Sequence, residues 1–136
     1  MKQRFSTHTT LIELTLSLLF LMLASMTILG LFMTAHDKST EAGQLTRAVQ
    51  AAQDSAALIK AGGDPQAELE AYGFTSTPDG SLTKRTADGL DVNITMSEEQ
   101  TSVGKMLRAD VEVLSGEESL LEWPILRYYN KEVIRP

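Results

Sequence analysis

The sequence predicts an α+β chain: one long N-terminal helix, membrane-spanning in its first half and amphipathic in its second, packed on a small antiparallel sheet of three or four strands. Three patterns carry this. Residues 14–33 hold no charge and are mostly Leu, Phe, Met and Ile, apolar residues then recur at helical spacing to Ile59, and the last third alternates apolar and polar with period two.

The uncharged run of about 20 residues suits a helix crossing a hydrocarbon core about 30 Å thick. Thr15, Ser17, Ser25, Thr27 and Gly30 dilute it without adding charge. A helix apolar all round needs apolar surroundings, and a chain of 136 residues has too little left to bury one on every side. Lys2 and Arg4 precede the run, whereas Asp37, Lys38 and Glu41 follow it. The positive-inside bias therefore predicts a cytoplasmic N-terminus and an extracytoplasmic C-terminal domain. A cleaved secretory signal is the competing reading, but the run is longer than a signal core and leads into more helix, not a small-residue cleavage site.

Ala42, Leu45, Val49, Ala52, Ala56 and Ile59 follow at alternating spacings of three and four, with Glu41, Gln44, Arg47, Gln50, Gln53 and Asp54 elsewhere. This is an apolar stripe continuing the same helix. Its alanines and short extent favour a sheet of the same chain over a coiled-coil partner. Gly62-Gly63 ends the helix, and Asp64-Pro65 starts a second by setting an N-cap before a proline at the first helical position. That helix carries Glu68, Leu69 and Tyr72 and stops at Gly73, after which Phe74 is expected to enter the core. Residues 75–80, with Pro78-Asp79-Gly80, read as a turn.

In the final third Leu90, Val92, Ile94 and Met96 share one face against Asp91, Asn93 and Thr95. Leu107, Ala109, Val111 and Val113 do the same against Arg108, Asp110 and Glu112. Both are half-buried strands. Leu82–Arg85 reads as a shorter strand before the Ala87-Asp88-Gly89 turn, and residues 120–128 as a last one after Ser115-Gly116-Glu117. Pro124 cannot donate to a ladder, so the last strand belongs at an edge or bends there. A thin core is expected to claim Trp123; Tyr129 is the candidate interface aromatic.

The charge is −6, and from Asp37 onward 17 acidic residues face 10 basic ones, which disfavours a nucleic-acid partner. With no cysteine, thiolate metal sites and a disulfide scaffold are excluded. His8 and His36 flank the apolar run on opposite sides. No nucleophile motif or phosphate loop is present, so neither enzymatic activity nor a cofactor is expected. Asp79, Asp88 and Asp91 read as solvated turn acids, their spacing matching no calcium loop, and no metal site is predicted.

One residue resists the description of an inert anchor. Glu13 stands at the front edge of the apolar run, where a carboxylate is costly and either is functional, with a partner, or lies shallow enough to reach the headgroups. Its surroundings, Phe5-Ser6-Thr7-His8-Thr9-Thr10-Leu11-Ile12-Glu13-Leu14, resemble the N-terminal signature of type IV prepilins and type II secretion pseudopilins. In that family a short basic leader is cut on the cytoplasmic face by a prepilin peptidase, and the new first residue is methylated. The resemblance places Thr9 at the mature first position, matches Thr10-Leu11-Ile12-Glu13-Leu14 to the opening of the apolar helix, and puts Glu13 on the family's assembly glutamate. The family's partner for that glutamate is the amino terminus of a neighbouring subunit. His8 departs from the pattern: the family has glycine before the cut, and a side chain there counts against processing between His8 and Thr9.

The resemblance implies a structural subunit, a minor pilin or pseudopilin, that polymerises with other such subunits through its N-terminal helix. The organisation expected is a cytoplasmic leader 1–8, a membrane half 9–35, an amphipathic half 36–61, and a short helix with the sheet over 62–136. The similarity extends loosely to the end, where residues 111–114 and 120–129 look like the terminal hairpin of small minor pseudopilins. Two other readings compete: a single-pass sensor or scaffold that does not polymerise, and a secreted binding domain beginning near Ala35.

Overall fold

A computed structural model describes the backbone of residues 2–130 and the side chains of residues 7–129. The chain forms two compact units, residues 1–42 and 43–136. Helix α1 covers Lys2–Lys60 and so contributes to both.

The first unit is helix alone. Every described side chain from Thr7 to Ala42 is exposed, the large ones from Leu11 to Met33 included. The helix is long and apolar enough to cross a membrane. Its hydroxyls are settled locally. Thr15, Ser25, Thr27 and Thr34 each donate to the carbonyl four residues back, at 2.8–3.0 Å. A hydroxyl satisfied in this way can sit in hydrocarbon without a partner from another helix.

The second unit packs the rest of α1 on a five-stranded antiparallel sheet in consecutive order, which is an α+β arrangement. The strands are β1 (Thr75–Ser76), β2 (Leu82–Arg85), β3 (Asp91–Thr101), β4 (Gly104–Ser115) and β5 (Glu118–Asn130). The expected three or four strands become five because Thr75 and Ser76 pair with Thr83 and Leu82, shortening the predicted turn to residues 77–81. Two residues are too few to show a period, so composition alone assigned them to the turn.

The core is one layer between helix and sheet. Leu90, Val92, Ile94, Leu107, Ala109, Val111 and Val113 are all buried, so the alternation marks the covered face as expected. From the helix, Ala48, Ala52, Ser55 and Ile59 are buried, whereas Leu45 is 46% exposed and Val49 and Ala56 are half-buried. The covered line is thus rotated by about 60° from the predicted stripe. The covered line runs through small side chains: Ala48, Ala52 and Ser55 are buried, as Ala109 is in the sheet, and the larger Leu45 and Val49 fall to the flank.

Helix α2 (Pro65–Ala71) forms as read. The Asp64 carboxylate accepts from the Gln66 N–H, Pro65 takes the first position, and Gly73 leaves the helix at φ 103°. Leu69 and Phe74 then enter the core. Edge strand β5 bears Pro124 opposite Asp110, where a missing donor costs little. Trp123 departs from expectation. It lies opposite Val111 on the covered face, yet it is 38% exposed because β5 is the margin of the sheet and of its described residues only Ile125 is fully covered.

Candidate functional site

The segment singled out by sequence, His8, Thr9, Thr10, Leu11, Ile12, Glu13 and Leu14, lies in continuous helix, and each of its side chains is exposed. A helix sets the neighbours of Glu13 at three and four residues: Thr9, Thr10, Leu16 and Ser17. None is cationic. Among the described residues Glu13 makes no hydrogen bond and no ion pair, while the hydroxyl of Thr15 two residues on is engaged with Leu11. The structure thus presents, at the front of the apolar run, a carboxylate with no partner among the described residues.

Further along the first unit, Lys38 donates to Glu41 at 2.8 Å. That bond and the ammonium charge hold the Glu41 carboxyl below its ordinary value and raise Lys38 above its own. Both groups are fully solvated, so the pair is a surface feature of the helix.

In the second unit the candidate interface residue Tyr129 is half-buried and packs against the core margin, with the Arg127 guanidinium 4.5 Å from its ring centre. Arg127 in turn donates to the carbonyls of Ile59 at 2.8 Å and Gly63 at 3.2 Å, tying β5 to the end of α1. The freely presented aromatic is its neighbour Tyr128, 71% exposed on the outer face beside Met106 and Leu126. Sequence placed Tyr128 and Tyr129 together; parity along the strand separates them.

A cleft of about 440 Å³ lies between the outer part of α1 and the β2–β3 hairpin. Phe74, Leu90, Val92 and Ala51 give it an apolar floor, and Arg47, Tyr72, Lys84 and Arg85 stand along it with Asp54 and Asp88. Lys84 is held in place: its ammonium donates to the Tyr72 carbonyl at 2.7 Å and lies 3.8 Å from the centre of the Tyr72 ring. Sequence reading missed this cleft, since Arg47 and Lys84 are 37 residues apart and only the packed fold brings them to one concavity.

Asp79, Asp88 and Asp91 are not gathered; Asp91 lies 3.9 Å from Arg85. Among the described residues no group of three His, Asp or Glu side chains could hold a metal ion. Comparison with known protein families, curated proteins and solved structures finds no match to this chain.

Proposed function

We propose that this chain is a structural assembly subunit, a minor pilin or pseudopilin of a type IV filament or a type II secretion-like system, that polymerises through its N-terminal helix. The observation that carries the reading is Glu13: an exposed, unpartnered carboxylate at the front of a helix apolar enough to span a membrane. Placing a carboxylate in hydrocarbon costs about 2.5–3.5 kcal/mol at mid-membrane and less near the interface. An amine from a neighbouring subunit offsets that cost only when the two meet, which also fixes the register between helices. Thr10-Leu11-Ile12-Glu13-Leu14 supports the same reading by its resemblance to the prepilin signature. Lys2 and Arg4 before the span orient the N-terminus toward the cytoplasm and the second unit away from it.

The test is recovery of the chain in sheared surface filaments from cells expressing a filament system. Glu13→Ala is expected to lower recovery at least tenfold, corresponding to loss of about 1.4 kcal/mol or more per subunit contact, with membrane levels unchanged. Equal recovery of the variant and the parent would sink the reading. His8 favours one alternative, a single-pass scaffold that is never processed. N-terminal sequencing of the mature chain separates the two, since the subunit reading predicts a start at Thr9 and the scaffold an intact leader.

A further inference from the structure

We propose that the cleft between α1 and the β2–β3 hairpin receives the acidic β4–β5 turn of a second copy of this chain, making a side-by-side, open-ended contact between second units. The inference rests on the assembly reading and names the surfaces that would meet.

Charge separates this cleft from the rest of its unit. Three basic and two acidic side chains line it, whereas the remainder of residues 43–129 carries four basic and twelve acidic ones. Two of its three cations, Arg47 and Lys84, pair with no carboxylate among the described residues. Lys105 and Arg108 pair with carboxylates, and Arg127 with main-chain carbonyls. In the cleft, Arg47 makes no hydrogen bond or ion pair among the described residues, Lys84 is engaged with the Tyr72 carbonyl and the Tyr72 and Phe74 rings, and Arg85 reaches Asp91 at no better than 3.9 Å. A fixed ammonium above an apolar floor favours a carboxylate carried next to an apolar side chain over inorganic phosphate.

The chain presents such a segment itself. Ser115-Gly116-Glu117-Glu118 turns β4 into β5, with Gly116 at φ 65°, and Leu120 follows. Glu117 and Glu118 are exposed and unpaired among the described residues. The register puts this turn at the same end of the sheet as the cleft's hairpin turn, since Arg85 pairs with Asp91, Asp91 with Leu114, and Ser115 with Glu118. The order β1-β2-β3-β4-β5 puts it at the opposite lateral margin. Copies set side by side in the plane of the sheet therefore bring the acidic turn of one to the cleft of the next. A contact between two different surfaces closes into a ring when the rotation between copies closes, and otherwise propagates into a filament.

The chain has no cysteine, so single ones can be introduced cleanly. Full-length Arg47→Cys and Glu118→Cys chains with different tags are co-expressed in membranes and treated with a short thiol-to-thiol linker. The expected product is a dimer carrying both tags, absent when either variant is present alone. Glu117→Lys on the Glu118→Cys chain, which keeps its own cleft, lowers that product about tenfold, and Arg47→Glu on the receiving chain, with the cysteine moved to Ala87, restores it. The same product is expected in the Glu13→Ala background, because the contact lies within residues 43–129. Its absence there and in the parent overturns this contact while leaving filament recovery to judge the assembly reading. Dimers from one variant alone, or capture only of another protein, overturn it equally.

Discussion

Arg127→Ala removes the side chain that, among the described residues, hydrogen-bonds the last strand to the end of the long helix. Its guanidinium donates to the Ile59 carbonyl at 2.8 Å and the Gly63 carbonyl at 3.2 Å, and stands 4.5 Å from the Tyr129 ring. The first bond, from a charged donor to a part-buried carbonyl of the final helical turn, is worth about 1.5–3 kcal/mol. A positive charge at a helix C-terminus adds about 0.3–1 kcal/mol, and the exposed ring contact about 0.5 kcal/mol. The three overlap, so the expected loss is about 3 kcal/mol. For a domain of this size that lowers Tm by roughly 12–24 °C. Trp123, the single tryptophan, lies on the same strand and reports unfolding by fluorescence in urea with the full chain held in mild detergent. Arg127→Lys, which keeps the charge but loses the fork, should fall between. Arg108→Ala is the control: its 3.3 Å contact is to Asp110 on its own strand, at the surface, and should cost under about 0.5 kcal/mol. If Arg127→Ala and Arg108→Ala destabilise equally, the strap between β5 and α1 is not what holds that corner.

Two further outcomes follow from the packing and the charges. Ala52→Leu places a larger side chain where alanine is fully buried between helix and sheet, and should destabilise the second unit by about 1–3 kcal/mol in the same urea titration, whereas Leu45→Ala on the exposed flank should change it by under about 0.5 kcal/mol. The Glu41 carboxyl, depressed by its bond to Lys38, should titrate below an ordinary glutamate in a carbon-detected NMR series. Because its folded value lies below the unfolded one, whatever the pair contributes is present above the ordinary carboxylate range and disappears as pH falls through the depressed value. Lys38→Gln should return Glu41 to the ordinary range.

Patterns that repeat were legible in the sequence. Six residues of β3 and β4 announce their buried face by alternation, and Asp64-Pro65 and Gly73 bracket the short helix by chemistry local to the backbone. What depends on who lies across the layer was not. Hydrophobicity ranks Leu45 and Val49 above Ala48 and Ser55, but the buried line of the helix runs through the small residues. Trp123 was assigned inward by bulk, and its parity is indeed inward; the number of strands between it and the sheet margin decides how much cover it receives. The candidate segment at His8 to Leu14 was visible because it is contiguous. Arg47, Lys84 and Tyr72 come from three elements and share no spacing, so no reading of one strand or helix could have gathered them.

Pro124 has a meaning beyond its tolerance at a margin. A thirteen-residue strand with an open side and with Trp123, Leu126 and Tyr128 exposed along it is a template on which stray chains can add. A missing donor near its midpoint, together with the irregularity between Val113 and Leu114, breaks that template into stretches too short to extend a sheet indefinitely. The backbone edge is thus spoiled, and growth by strand addition is checked.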